Sequence, residues 1–158
     1  MRRWRTAGDK RLAGMLVVLA IGLSLLSSFG SPARVRAQST QPVSLATGQW
    51  VGADAFHTGS GKVLLVRLPD GQRFLRFEEF KVTNGPDLYV YLSGHPAPRT
   101  RAQLHEGAAF EIGVLKGNVG NQNYALPADL DLSKFKSVAI YCKRFSVLFA
   151  SAELVFRP

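Results

Sequence analysis

One thiol in the chain stands beside two cations: Cys142 is followed directly by Lys143 and Arg144. Adjacent positive charge favours a thiolate, and a thiolate is what attacks disulfides or ligates metals. On that reading Cys142 is a redox thiol or a ligand to a prosthetic group, with Lys143 and Arg144 as electrostatic support. Its phase with Val138 and Ile140 gives a plainer reading, because free cysteine is among the most buried residue types and packs as a small hydrophobe. His57 ends an apolar run just before Thr58-Gly-Ser-Gly61. An imidazole there can donate, accept or ligate, although a surface or capping role is commoner at a strand end. Asn84, Asp87 and the amide-rich loop from Asn118 to Asn123 carry oxygens that suit calcium, but Asn and Gly serve turns equally well without an ion, and no EF-type spacing is present.

Other chemistries find no support. No H-E-x-x-H, G-x-S-x-G, haem-attachment C-x-x-C-H or phosphate-cradling Gly-rich loop occurs. A single cysteine excludes an internal disulfide, a zinc ribbon and a Cys-ligated iron–sulfur cluster. His57, His95 and His105 lie on separate segments without metal-ligand spacing, and no metal site is expected. The ten Phe and four Tyr suit a strand-built core, with an aromatic binding surface led by Tyr89 and Tyr91 as the lesser alternative.

The chain has 158 residues, 46% hydrophobic and 20% charged, which fits one ordinary globular domain and excludes a disordered chain. Its net charge of +9 would suggest nucleic acid, but residues 1–37 hold seven basic residues against one acid, +6 of the total. The remainder is only mildly basic, so no nucleic-acid partner is expected. A cationic start, an apolar run from Leu12 to Leu26 and Val35-Arg36-Ala37 follow the three-part order of an export signal. Residues 1–37 therefore read as a signal peptide cleaved after Ala37, or as an uncleaved anchor helix that would be the one membrane contact. The domain is then exported, to periplasm, cell envelope or medium.

The residues that position these groups read as strands. Residues 38–47 are polar and small and suggest a flexible lead-in to a single domain at 48–158. Short runs follow at 49–57, 62–68, 73–77, 87–93, 109–115, 124–126, 137–142 and 145–156. Leu68-Pro-Asp-Gly-Gln72 is a hairpin turn, and the phase slip from Phe77 to Phe80 marks a bulge at Glu78-Glu79. In 87–93, Leu88, Val90 and Leu92 share one face while Tyr89 and Tyr91 take the other. Hairpin-length connections leave no room for crossover helices. The expected fold is all-β, an antiparallel sandwich or barrel-like sandwich of about seven to nine strands.

Three stretches together resemble the DM-thirteen domain, a module found beside DOMON domains in proteins assigned to electron transfer and the cell surface. They are Phe80-Lys-Val-Thr-Asn-Gly-Pro-Asp-Leu-Tyr-Val-Tyr-Leu-Ser93, Leu115-Lys-Gly-Asn-Val-Gly-Asn-Gln-Asn-Tyr-Ala-Leu-Pro127 and Ser137-Val-Ala-Ile-Tyr-Cys-Lys-Arg-Phe-Ser-Val-Leu-Phe-Ala150. Phe56-His57 followed by Gly61 resembles the start of that domain, and the likeness spans about residues 48–156. It implies a β-rich fold and a redox role centred on the single Cys, here Cys142, either bare or ligating a group such as haem. His57 would be a second ligand or proton partner, and a redox or envelope protein the partner. The rival expectation is a non-catalytic binding or structural module in which Cys142 only packs.

Overall fold

Strands form here because apolar and polar side chains alternate, and the computed structural model, described over residues 40–158, follows that pattern. In chain order the elements are β1 (Val43–Gln49), β2 (Val51–Gly52), β3 (Gly59–Arg67), β4 (Arg73–Val82), β5 (Leu88–Ser93), α1 (Arg101–Leu104), β6 (Ala109–Val114), β7 (Gln122–Leu126), a 3-10 turn (Leu132–Lys134), β8 (Ser137–Cys142), β9 (Val147–Glu153) and β10 (Val155–Phe156). They make two five-stranded sheets, ordered β10-β1-β3-β4-β7 and β2-β9-β8-β5-β6. All the pairings are antiparallel. The all-β antiparallel sandwich expected from the sequence is the fold observed.

Val63, Leu65, Leu75, Phe77 and Phe80 of the first sheet and Val90, Leu92, Val138 and Ile140 of the second are wholly buried in one core cluster. Each such side chain stabilises the fold by about 1.5–3 kcal/mol through the apolar surface it removes from water. Trp50 closes one corner, its ring edge-on to Phe77 at 4.9 Å and Phe80 at 5.1 Å.

The expected bulge is present. Ser60 pairs with Lys81 but Lys62 with Glu78, so the register slips across Gly61. Gly61 has φ +100° and Glu79 φ 51°. A side chain rarely adopts that region, and here the Glu79 N–H is held by donation to Asn121 Oδ1 at 2.9 Å.

Three expectations change. The lead-in over 38–47 becomes strand β1 from Val43 onward, because β3 and β10 flank it on both sides and supply its backbone partners. The run at 145–156 divides: β9 lies in the second sheet and β10 in the first, with the chain crossing at Leu154. The run expected at 49–57 also breaks up: Gln49 ends β1, the chain crosses at Trp50, only Val51–Gly52 form β2 and His57 lies in a loop, and with the two-residue pieces the strands number ten, above the seven to nine expected. Between β5 and β6 the chain makes the one-turn helix α1, capped by Thr100, whose Oγ1 accepts from the Gln103 N–H. The signal or anchor expected over residues 1–37 lies outside the described residues.

Candidate functional site

Strand β8 presents two buried faces, and the candidate groups divide between them. All six of its residues are buried. Val138, Ile140 and Cys142 point between the sheets into the main core. Ala139 and Tyr141 point the other way, into a smaller cluster with Ala53, Tyr91, Leu104 and Leu148.

Cys142 has no exposed surface. Its cross-strand partners are Leu88 and Val147. Lys143, although next in sequence, sends its ammonium to the opposite side of the sheet. There it donates to Glu111 Oε1 at 2.8 Å and lies 3.6 Å from the centre of the Tyr89 ring. Arg144 is exposed in the turn between β8 and β9.

His57 is positioned by the loop after β2. The Asp54 carboxylate accepts from the backbone N–H groups of Phe56 and His57 at 2.8 Å each, and lies 2.7 Å from His57 Nδ1. These bonds, the side-chain bond to His57 first, hold the Asp54 carboxyl down to about 2. With Nδ1 engaged by the Asp54 carboxylate, Nε2 is the ring nitrogen left for another partner. The other side of the ring packs on Phe149, 4.3 Å between centroids, and Phe149 belongs to the same core cluster as Cys142. Gly85 leaves room beside it: a Cβ there would meet Leu88 Cδ2 at 2.7 Å and Phe149 Cζ at 2.8 Å, and those side chains would have to shift. Asn84 is exposed in that turn, and the Asp87 carbonyl accepts from the Lys143 N–H at 3.0 Å. Among the described residues no three His, Cys, Asp or Glu side chains group as metal ligands.

The outer face of the second sheet carries an array that sequence reasoning did not assemble. Tyr91 donates to Glu111 Oε2 at 2.6 Å, and Lys143 Nζ lies 2.8 Å from both carboxylate oxygens. Tyr91 and Tyr141 meet edge-to-face at 5.7 Å, and His105 lies 6.4 Å from each ring. Register explains the meeting. Tyr91 pairs with Glu111 on β6 and with Ala139 on β8, while Tyr89 pairs with Tyr141.

The loop carrying α1 is tied down over this face. Ser93 Oγ donates to the Leu104 carbonyl at 2.9 Å, and Ser137 Oγ donates to the His95 carbonyl at 2.6 Å. Arg99 donates to the carbonyls of Gly52 and Ala53, both at 3.0 Å. Burial and then the Glu111 bond push the Tyr91 phenol well above its usual range. Lys143 and then Tyr91, as donors, hold Glu111 below the usual carboxylate range. The alternation of Tyr89 and Tyr91 was the one signal of this cluster in the sequence; Glu111 and His105 gave none.

Three surface clefts can be compared with a prosthetic group. A cleft of about 690 Å³ runs past Gln49, Lys62, Glu78, Arg99 and Glu153. Others of about 400 and 440 Å³ lie over Leu64, Val66 and Phe74, and beside Lys116 and Asn121. Neither Cys142 nor His57 lines any of the three. A haem ligated by Cys142 would need its sulfur at a cavity wall, and the sulfur is instead enclosed by side chains. The residues present do not fit that group.

The fold and these faces define an antiparallel two-sheet sandwich with a closed thiol core and a polar–aromatic outer array. Its sequence carries a family signature as well: the description "Electron transfer DM13" matches residues 52–154. The chain belongs to the DM13 electron-transfer family. No curated protein and no solved structure matches the chain.

Proposed function

We propose that this domain is an exported electron-transfer module that exchanges single electrons with a redox partner, and that Cys142 serves it as core packing. The family match over residues 52–154 carries the first half of this reading. Export is supported by the cationic, apolar and small-residue order of residues 1–37. The packing role rests on the complete burial of Cys142 against Leu88 and Val147. Thiol chemistry needs access to an attacking or attacked atom, and a sulfur with no exposed surface has none. The half-buried His57, held by Asp54 and packed on Phe149 of that core, would be its proton partner at the surface.

Protein-film voltammetry on the purified full chain tests both halves, with titration of the native thiol beside it. We expect a reversible wave in the wild type that survives Cys142→Ala, and a thiol that reacts only after unfolding. No wave in the wild type would overturn the electron-transfer reading. Loss of the wave in a folded Cys142→Ala protein, or prompt reaction of the native thiol, would overturn the packing role.

A further inference from the structure

We propose that Tyr91 is a redox-active tyrosine: it gives one electron to an outer-sphere oxidant while its phenolic proton passes to the Glu111 carboxylate. This rests on the electron-transfer reading and names the group that carries it.

Oxidation of a phenol yields a radical cation that is a very strong acid, so the step is easy only where a base already holds the proton. Tyr91 meets that condition. Tyr91 is 7% exposed and its hydroxyl lies 2.6 Å from Glu111 Oε2. Glu111 is kept ionised and in place by Lys143, which is itself braced over the Tyr89 ring. Among the described residues, buried Tyr124 and Trp50 lack such a base. Tyr124 donates to the neutral amide oxygen of Gln122 at 2.6 Å and accepts from the Lys116 N–H. Trp50 Nε1 is buried without an acceptor. Tyr91 is also close to an outlet, since the Glu111 and Lys143 side chains are 40% and 36% exposed. His105 and Tyr141 pack edge-on to it and give the radical electron-rich neighbours.

The step balances as follows. A one-electron oxidant of high potential, a metal complex or organic radical, takes one electron from Tyr91 and is reduced by one unit. The O–H bond breaks, and the proton bonds to Glu111 Oε2. The products are a neutral phenoxyl radical and a neutral carboxylic acid beside the Lys143 ammonium. A one-electron donor reverses both transfers.

The test is flash oxidation of the full chain by photogenerated tris(bipyridine)ruthenium(III), followed by transient absorption and electron paramagnetic resonance. We expect a fast tyrosyl radical phase that Tyr91→Phe abolishes and Tyr124→Phe leaves unchanged. Glu111→Gln should slow it about 100-fold, the low end for a positioned base. The wild-type rate should also fall in heavy water, a readout that requires no variant. A fast phase that persists in Tyr91→Phe, a tryptophan radical as the main product, or no solvent isotope effect would overturn the assignment. The two readings fail separately. A film wave unchanged in Tyr91→Phe would sink Tyr91 and leave electron transfer standing. No film wave in a wild type that still forms the Tyr91 radical would sink the electron-transfer role alone.

Discussion

The two faces of β8 are equally buried and chemically opposite. Inward, Val138, Ile140 and Cys142 meet side chains of the facing sheet, and the sulfur has no polar neighbour among its strand partners. Outward, Tyr141 meets Tyr91 and His105, and a carboxylate and an ammonium close the array. Burial therefore does not decide where chemistry resides. What decides it is whether buried polar atoms have partners able to take up charge or protons. The inner face supplies cohesion, and the outer face supplies a phenol, a base and a route to the surface.

Substitutions on the two faces test this contrast. The largest effect is expected on the inner face, where Ile140→Ala removes methylenes that the packed sheets cannot replace; urea unfolding should show a loss of about 3 kcal/mol. Next comes Tyr91→Phe, which leaves the ring but deletes a hydrogen bond to a charged acceptor. Its cost should be about 1.5 kcal/mol by the same measurement. Cys142→Ala should cost about 1 kcal/mol, the value of one small buried group. A cost as large as that of Ile140→Ala would show that the sulfur does more than fill space.

The smallest effect is one of pH. Glu111 is depressed by Lys143 and then Tyr91, so its contribution is present above the ordinary carboxylate range and fades as pH falls through the lowered value. Lys143 is raised, by Glu111 first, so its share is present below the ordinary lysine range and fades as pH rises through the raised value. Thermal melts against pH should show both limbs in the wild type and a shallower acid limb in Glu111→Gln. An identical acid limb in the two proteins would remove the outer array from the account of stability.

Much of the sandwich was legible because alternation reports which face of a strand is buried. Leu88, Val90 and Leu92 against Tyr89 and Tyr91 is the clearest case, and the break at Glu78-Glu79 announced a bulge. Strand β1 was hidden because its register slips between Ser44 and Ala46, which breaks the alternation begun by Val43 and Leu45, and because one partner, β10, lies at the far end of the chain. The crossings at Trp50 and Leu154 were hidden because strand propensity does not report a change of sheet.

The site was less legible than the fold. Cys142, Lys143 and Arg144 looked like one electrostatic unit, yet successive strand residues point to opposite faces, and the Lys143 charge left with the outer one. Glu111 joins Tyr91 only through the β5–β6 register, and His105 only through the tethered α1 loop. Contacts of that kind are made by tertiary pairing and leave no local pattern.

The proposal that electrons use the outer face and bypass the inner sulfur gives Tyr91 and Cys142 opposite fates. Film voltammetry of Cys142→Ala and Tyr91→Phe, run side by side on folded protein, tests it most directly. The wave should persist in the first and vanish in the second; persistence in Tyr91→Phe with loss in Cys142→Ala would contradict it.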